Sequence, residues 1–161
     1  WTGKASATII YDSIVDEFTA QGFFDKVKGK ANIAIVGFTA DGNVFGGFLN
    51  VAVTEQEEFI FDPDMFIFSF ESRGRCETPQ RFVVKDEVRS KKYVFFFKND
   101  SNGRFVSVGG NYGYFYLGNE RSYTFCNNLS DGFEGIADNT LTGNSWPKGF
   151  TCTRIVAVHL Q

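Results

Sequence analysis

Short apolar runs separated by polar turn residues recur along the whole chain and predict β-strands. Most of the runs span four to seven residues, and several of them alternate apolar with polar side chains. The last run is long and strongly apolar, so we expect it to be a central strand. The strands predicted in this way cover residues 7–11, 32–38, 44–49, 65–70, 81–84, 93–97, 104–108, 114–117 and 150–160.

One segment changes to helical spacing. Thr19 is suited to cap the N-terminus of a helix that runs to about Val27, with Phe23, Phe24 and Val27 on one face. Gly29 follows as a stop signal. We interpret this segment as a helix that covers a sheet.

A hairpin is predicted where Asp41-Gly42 separates the second and third apolar runs. Gly46-Gly47 interrupts the outgoing strand and indicates a bulge or a close approach of another backbone. A ligand cradle is the alternative, but the helix and Lys-Ser/Thr of a phosphate loop do not follow.

A glycine-rich bend at residues 109–113 is predicted to bring together aromatic strands at 114–117 and 122–128. A dinucleotide site would need a helix after Gly109-Gly110, and the pattern there is that of a strand. The preceding polar turn at 99–103 lacks the full ligand set of a calcium loop and is interpreted as a hairpin turn. The charged run 85–92 is interpreted as a solvated edge, and the strand 93–97 as largely buried. The long polar segment 131–148 is either a functional loop or a variable insertion.

Composition supports a β-rich domain. Twenty Phe among 161 residues and a hydrophobic content of 43% suit sheet faces and one sizeable core, so we expect a single domain spanning 1–161. The net charge of −3 argues against an affinity that depends on phosphate contacts, so we do not expect nucleic-acid binding. No run is long and apolar enough for a membrane helix. The first residues resemble neither a signal peptide nor an initiator, so we expect a domain excised from a longer chain.

The side chains that could carry chemistry are few. Cys76, Cys126 and Cys152 are far apart in the sequence and predict a reduced, cytoplasmic compartment. His159 is the single histidine, no nucleophile motif precedes it, and neither a metal nor a cofactor is predicted. Cys126, beside Asn127, is the candidate reactive thiol, although a packed strand cysteine is the favoured interpretation.

The order of short motifs resembles the TLDc domain family from about Ile9 to Leu160. The motifs are Ile10-Tyr11-Asp12-Ser13, the helix after Thr19, Asp41-Gly42-x-Val44-Phe45-Gly46-Gly47-Phe48, Phe66 to Phe70, Gly109-Gly110, Thr124-Phe125-x-Asn127 and the last strand. The chain departs from the family at Tyr123, where an acidic residue is common, and around His159, where an aromatic one is expected. The candidate interaction or family-motif residues are Gly46, Gly47, Gly109, Gly110, Thr124, Phe125 and Asn127.

The resemblance implies a fold and a class of function. The fold is mainly β (α+β), a two-sheet antiparallel β-sandwich with a few short helices. The implied function is a non-enzymatic, intracellular protein-interaction domain in the oxidative-stress response or in regulation of the vacuolar-type proton ATPase (V-ATPase), whose subunits are the implied partners.

Two other functions stay open. One is a thiol-dependent antioxidant or hydrolytic enzyme using Cys126 or Cys76, the latter lying near Arg73 and Arg75. The other is a regulatory nucleic-acid-binding protein with a basic face formed by Arg73, Arg75, Lys85 and residues 89–92.

Overall fold

The computed structural model describes residues 1–119 and 124–161 and contains two antiparallel sheets, as the family resemblance implies. The first sheet has the order β1-β11-β2-β3-β5-β6, with β1 (Ala7–Asp12), β2 (Ile33–Thr39), β3 (Val44–Leu49), β5 (Phe66–Glu71), β6 (Gln80–Val83) and β11 (Cys152–Leu160). The second has the order β10-β9-β8-β7-β4, with β4 (Phe59–Phe61), β7 (Tyr93–Phe96), β8 (Arg104–Val108), β9 (Tyr114–Gly118) and β10 (Cys126–Asn127). The helices are α1 (Ala20–Val27), a 3-10 helix (Asp86–Lys91) and α2 (Leu129–Gly132).

Helix α1 has the predicted start, apolar face and end. The Thr19 hydroxyl accepts a hydrogen bond of 3.1 Å from the Gly22 amide, which satisfies one of the free N–H groups of the first turn. Gly29, just past the helix, has a φ of +77°. The Phe23 ring is buried and contacts Tyr11 of the first sheet and Phe96 of the second. The helix therefore covers one end of the space between the sheets.

The predicted β2–β3 hairpin is confirmed, and its two consecutive glycines lie at close approaches. A Cβ on Gly47 would lie 2.6 Å from a Val108 methyl group of the second sheet. A Cβ on Gly46 would overlap the carbonyl oxygen of Ile35 in β2. A bulge in the β3–β5 pairing occurs just before them, between Val44 and Phe45. The glycines allow the strand pair and the two sheets to pack closely.

The main core lies between the sheets and is largely aromatic. Phe45 of the first sheet meets Phe115 of the second edge to face, with ring centroids 5.2 Å apart, and also contacts Phe150. Strand β11 lies between β1 and β2, so the prediction of a central position is confirmed. None of the helices within residues 1–119 and 124–161 is long and apolar enough to cross a membrane.

The fold adds one strand and corrects two local interpretations. The short strand Phe59–Phe61 was not predicted. Strand β7 buries only alternate residues, Val94 and Phe96, because its other face is an outer face of the sandwich. The interpretation of the charged run 85–92 as a solvated edge is wrong for its last residue, because Lys92 has no exposed surface.

Two predicted segments have a mixed outcome. The polar segment 131–148 contributes Phe133, Ile136 and Leu141 to the main core, so part of it is structural. The strand predicted from residue 122 is seen as β10, which pairs with β9. Residues 120–123, including Tyr123, lie outside the described residues.

Candidate functional site

The outer face of the second sheet carries a continuous row of aromatic side chains. Side chains alternate between the two faces of a strand, so the aromatic residues that alternate with the buried ones in β4, β7 and β9 point outward. Ring contacts join Phe97, Phe125 and Trp146, which lie outside these strands, to the same surface. We call these side chains the aromatic row: Phe59, Phe61, Tyr93, Phe95, Phe97, Tyr114, Tyr116, Phe125 and Trp146.

Ring contacts join the aromatic row without a break from one edge of the sheet to the other. From the β4 edge, the centroids of Phe59 and Phe95 lie 5.4 Å apart, and those of Phe95 and Phe97 lie 4.9 Å apart. Phe97 then contacts Tyr116 at 5.9 Å. Towards the β10 edge, Tyr116 contacts Phe125 at 5.0 Å, and Phe125 contacts Trp146 at 4.9 Å. These spacings lie within the range of favourable aromatic pairs.

The two ends of the row are open to solvent. Phe59 and Phe61 are 57% and 58% exposed at the β4 edge, and Trp146 is 56% exposed at the other end. Of the rings between them, Phe125 is buried and the others are partly buried. Large contiguous apolar surfaces that reach solvent mark interaction sites on soluble proteins, and Trp, Tyr and Arg are enriched among interface residues that dominate affinity.

A hollow of about 190 Å³ lies in the middle of the row. Ser107 of β8 pairs with Phe95 on one side and with Tyr116 on the other, so a small hydroxyl separates two large rings. The walls are completed by Phe59, Tyr93, Phe97 and Arg104. A second hollow of about 440 Å³ adjoins it and shares Phe95, Phe97 and Arg104.

The cation beside the hollow is neutralised within the domain. The Arg104 side chain donates two hydrogen bonds, of 2.7 and 3.2 Å, to the Asp100 carboxylate. The carboxylate raises the pKa of Arg104 against the opposing effect of burial. The guanidinium carbon also lies 4.4 Å from the centroid of Phe97 and 5.0 Å from that of Tyr116. Arg104 therefore stiffens the aromatic walls and offers no unpaired charge.

The phenols of Tyr93 and Tyr116 remain protonated at neutral pH. Burial raises the pKa of Tyr116 to about 12, with a further contribution from Tyr114. Burial also raises the pKa of Tyr93. Phenols in this state can donate hydrogen bonds.

Two of the residues singled out from the sequence lie in or beside the row. Phe125 is one of its rings, and the Asn127 side-chain amide donates to the Tyr114 hydroxyl at 3.3 Å. Thr124 is buried, and its hydroxyl donates a hydrogen bond to the Phe150 carbonyl oxygen. This bond links the β10 edge of the second sheet to the residues just before β11.

The glycines singled out from the sequence have packing roles in the structure. Gly109 and Gly110 have φ values of +119° and +78°, which a residue with a side chain rarely adopts. A Cβ on Gly110 would lie 2.5 Å from the Lys91 carbonyl oxygen and 3.0 Å from the Tyr93 ring, so Gly110 borders the row at Tyr93. Gly46 and Gly47 belong to the first sheet and are not brought to the row.

Burial of Cys126 does not favour a reactive thiolate. Cys126 faces the core, and burial raises the pKa of its thiol to about 12, outweighing the opposite effects of Thr142 and Arg75. Burial likewise raises the pKa of Cys152 to about 12, whereas Cys76 is partly exposed. The Arg75 side chain is held by the carbonyl oxygens of Thr140 and Leu141.

These environments predict a clear order of thiol reactivity. In the native protein, iodoacetamide should label Cys76 first, and Cys126 at least about a hundredfold more slowly, because labelling of Cys126 requires an opening of the fold. Peptide mass spectrometry across pH 6–9 measures both rates, and a Cys76→Ser variant serves as the control. Rapid labelling of Cys126 below pH 7 would contradict this and support the thiol-enzyme alternative.

The basic residues considered for nucleic-acid binding are divided between two places. Arg73 binds the Asp41 carbonyl, and Arg75 binds Thr140, both beyond the C-terminal end of β5. Arg89 pairs with Asp64, which precedes the N-terminal end of β5. The six residues of β5 separate these groups by about 20 Å. In residues 1–119 and 124–161, no three or more His, Cys, Asp or Glu side chains are grouped to hold a metal ion.

Most of the aromatic row could not be singled out from the sequence. Tyr93, Phe95 and Phe97 alternate with core residues in one apolar run, so a fully buried strand has the same pattern. The usable signal was the recurrence of aromatic residues at alternate positions in several strands.

One comparison with known proteins identifies the family. The family model described as TLDc domain matches residues 2–147 of the chain. No curated protein matches the chain. The match covers most of the 161 residues and includes the strands that carry the aromatic row. This chain belongs to the TLDc domain family.

Proposed function

We propose that this chain is a non-enzymatic protein-interaction domain that uses the aromatic row to dock a protein partner. The observation that carries the proposal is the unbroken row of rings across the second sheet, open to solvent at both ends. A surface of this kind gains affinity by removing aromatic area from water.

The family supports a more specific proposal about the biological role. TLDc domains are associated with protection against oxidative stress and, for several members, with binding to the V-ATPase. We propose that this domain acts in the cytoplasm in one of these roles and that V-ATPase subunits are its partners. The family match supports the class of domain, and the aromatic row supplies a surface through which it could act.

Affinity capture from native cell lysate, with and without oxidant treatment, tests this proposal. The wild-type domain should recover V-ATPase subunits, and the double variant Phe59→Ser/Trp146→Ser should recover at least tenfold less, because it removes exposed rings from both ends of the row. The matched control is Ile9→Ser/Val83→Ser, which changes exposed apolar residues on the first sheet. Recovery that is unchanged in the row variant, or lost equally in the control, would refute docking through the row.

A further inference from the structure

Strand β4 leaves one edge of the second sheet open for pairing. The Asp62 amide donates to the Lys92 carbonyl oxygen at 3.1 Å, across the pair of β4 and β7. Backbone groups of successive residues point to opposite edges of a strand, so Ile60 also bonds to β7, whereas Phe59 and Phe61 direct their N–H and C=O groups away from it. Within residues 1–119 and 124–161, no other segment bonds to these four groups.

The other sheet edges differ from β4. At β10, the outward Cys126 carbonyl oxygen accepts a hydrogen bond of 2.8 Å from the Trp146 amide. At β6, the Val83 carbonyl oxygen accepts one of 2.9 Å from the Glu134 amide. The remaining edge, β1, carries no exposed aromatic ring. Open edges are normally covered or blunted, so an uncovered edge with two exposed rings favours a strand that is added by another molecule.

The side chains of β4 indicate what an added strand would carry. Phe59 and Phe61 are both more than half exposed and lie on the outer face of the sheet. Residues directly opposite each other in an antiparallel pair place their side chains on the same face, and aromatic pairs stabilise such positions. Aromatic residues opposite Phe59 and Phe61 would therefore extend the aromatic row by one strand.

The N-terminal end of β4 has an excess of negative charge. Glu57 and Glu58 directly precede the strand, and both are exposed. Lys98, whose amide donates to the Glu57 carboxylate at 2.6 Å, contributes one positive charge beside them. Two carboxylates against one ammonium group favour a basic residue at this end of an added strand.

The C-terminal end of β4 is also acidic. A hollow of about 370 Å³ is lined there by Pro63 and by the charged groups of Asp64, Asp86, Glu134 and Arg89. Arg89 pairs with Asp64 and Asp86, so three carboxylates face a single guanidinium. The hollow has room for a lysine or arginine side chain, whose charge would offset the excess.

The same charges disfavour a second copy of this chain as the occupant. Residues 55–64 contain no basic residue and five acidic ones: Glu55, Glu57, Glu58, Asp62 and Asp64. Two copies paired through β4 would bring two such segments together. Like charges opposite each other destabilise a strand pair.

We propose that β4 binds an extended segment of the protein partner as an added antiparallel strand, with aromatic residues opposite Phe59 and Phe61 and basic residues at both ends. Main-chain hydrogen bonds supply affinity in this mode of recognition, and the alternate side chains supply specificity. This inference rests on the proposed function, because it specifies how the partner is bound at one end of the aromatic row.

A labelled peptide, Lys-Lys-Thr-Phe-Val-Phe-Lys-Lys, tests the inference. With its phenylalanines opposite Phe59 and Phe61 in antiparallel register, its lysine pairs lie opposite Glu57-Glu58 and Pro63-Asp64. Fluorescence anisotropy should show saturable binding to the wild-type domain. N-methylation of both phenylalanines should weaken binding at least tenfold, because their N–H groups face β4. N-methylation of the valine is the matched control and should change binding less than threefold, because that N–H faces away.

A charge reversal tests the basic ends. Glu58→Lys should weaken binding of the lysine peptide at least fivefold and strengthen binding of the peptide Glu-Glu-Thr-Phe-Val-Phe-Glu-Glu, because it inverts the charge at one end of β4. Glu77→Lys is the matched control. It changes an exposed glutamate between β5 and β6 of the first sheet, and neither peptide should change more than twofold.

The other outcomes have distinct meanings. Equal effects of the two N-methylations, or equal binding of the basic and acidic peptides, would overturn the inference. Absence of saturable peptide binding, with V-ATPase capture still dependent on the row, would overturn it and leave the proposed function standing. Peptide binding that follows the expected pattern without V-ATPase capture would refute the named partner and retain the strand site. A dimer in sedimentation that Phe61→Ser dissociates would identify a second copy as the occupant and overturn the inference.

Discussion

Gly46→Ala is expected to lower the free energy of unfolding by about 3–5 kcal/mol. The added methyl group would overlap the Ile35 carbonyl oxygen and lie 2.8 Å from the Phe68 ring. Overpacking usually costs about 1–3 kcal/mol because side chains can shift. Here the obstacle is backbone in β2, a central strand of the first sheet, so relief requires separation of two paired strands. Chemical denaturation measures the loss.

Gly47→Ala is the matched control for this prediction. Its methyl group would meet the Val108 side chain at 2.6 Å, so a change at Val108 can relieve the clash. We expect a cost of about 1–3 kcal/mol, and the double variant Gly47→Ala/Val108→Ala should show a favourable coupling energy. Gly46→Ala should show no comparable coupling with Phe68→Ala, because the Ile35 carbonyl remains in place. Equal costs for the two alanine variants would refute the backbone explanation.

The features predicted correctly from the sequence have local causes. Thr19 and Gly29 bound a helix because cap chemistry depends on residues within one turn. Asp41-Gly42 fixed a hairpin because the turn needs a positive φ, which Gly42 supplies at +86°. The central position of β11 followed from its strongly apolar sequence. The family resemblance added the two-sheet arrangement, which local patterns do not specify.

The features that were missed depend on contacts between distant segments. Strand β4 has only three residues and pairs with β7, more than thirty positions later. The aromatic row depends on the strand order of the second sheet, which brings β4 beside β7 and β10 beside β9. Phe125 and Asn127 were singled out through the family motif, whereas Phe59 and Phe97 had no signal of their own. Outward and inward aromatic residues look alike until the faces of the sheet are known.

Lys92 is the clearest case of a residue whose role depends on the fold. It follows a charged helix and is completely buried. Its ammonium group donates to the carbonyl oxygens of Tyr112 and Gly113 and lies 4.2 Å from the centroid of the Phe133 ring. Gly132 leaves room for it, because a Cβ there would overlap the amine. Lys92 thus joins the glycine-rich bend to the segment that follows β10.

Substitution of Lys92 should separate the contribution of packing from that of charge. We expect Lys92→Ala to be less stable than Lys92→Met by about 2–4 kcal/mol at any pH, because Met fills the volume of the buried stem and Ala leaves a cavity. Lys91→Met changes an exposed neighbour and should lie within about 0.5 kcal/mol of the wild type. Equal stability of the Ala and Met variants in urea denaturation would contradict the buried position.

The stability of the wild type should rise with pH because of the same residue. Burial lowers the pKa of Lys92 to about 7, against the opposing charge of Asp131, whereas an unfolded lysine has a pKa of about 10.4. Between these values the unfolded chain binds a proton that the folded chain has released, so increasing pH favours folding. From pH 7 to 8.5, urea denaturation should show a gain of about 1.5 kcal/mol relative to Lys92→Met, and below pH 7 the difference should level off because both states are protonated. The pH range stops at 8.5 because other groups act at higher pH. Burial raises the pKa values of Cys126, Cys152 and Tyr116, so their deprotonation in the unfolded chain lowers the stability there. A flat difference across this window would mean that the buried ammonium keeps its proton, held by the Tyr112 and Gly113 carbonyls.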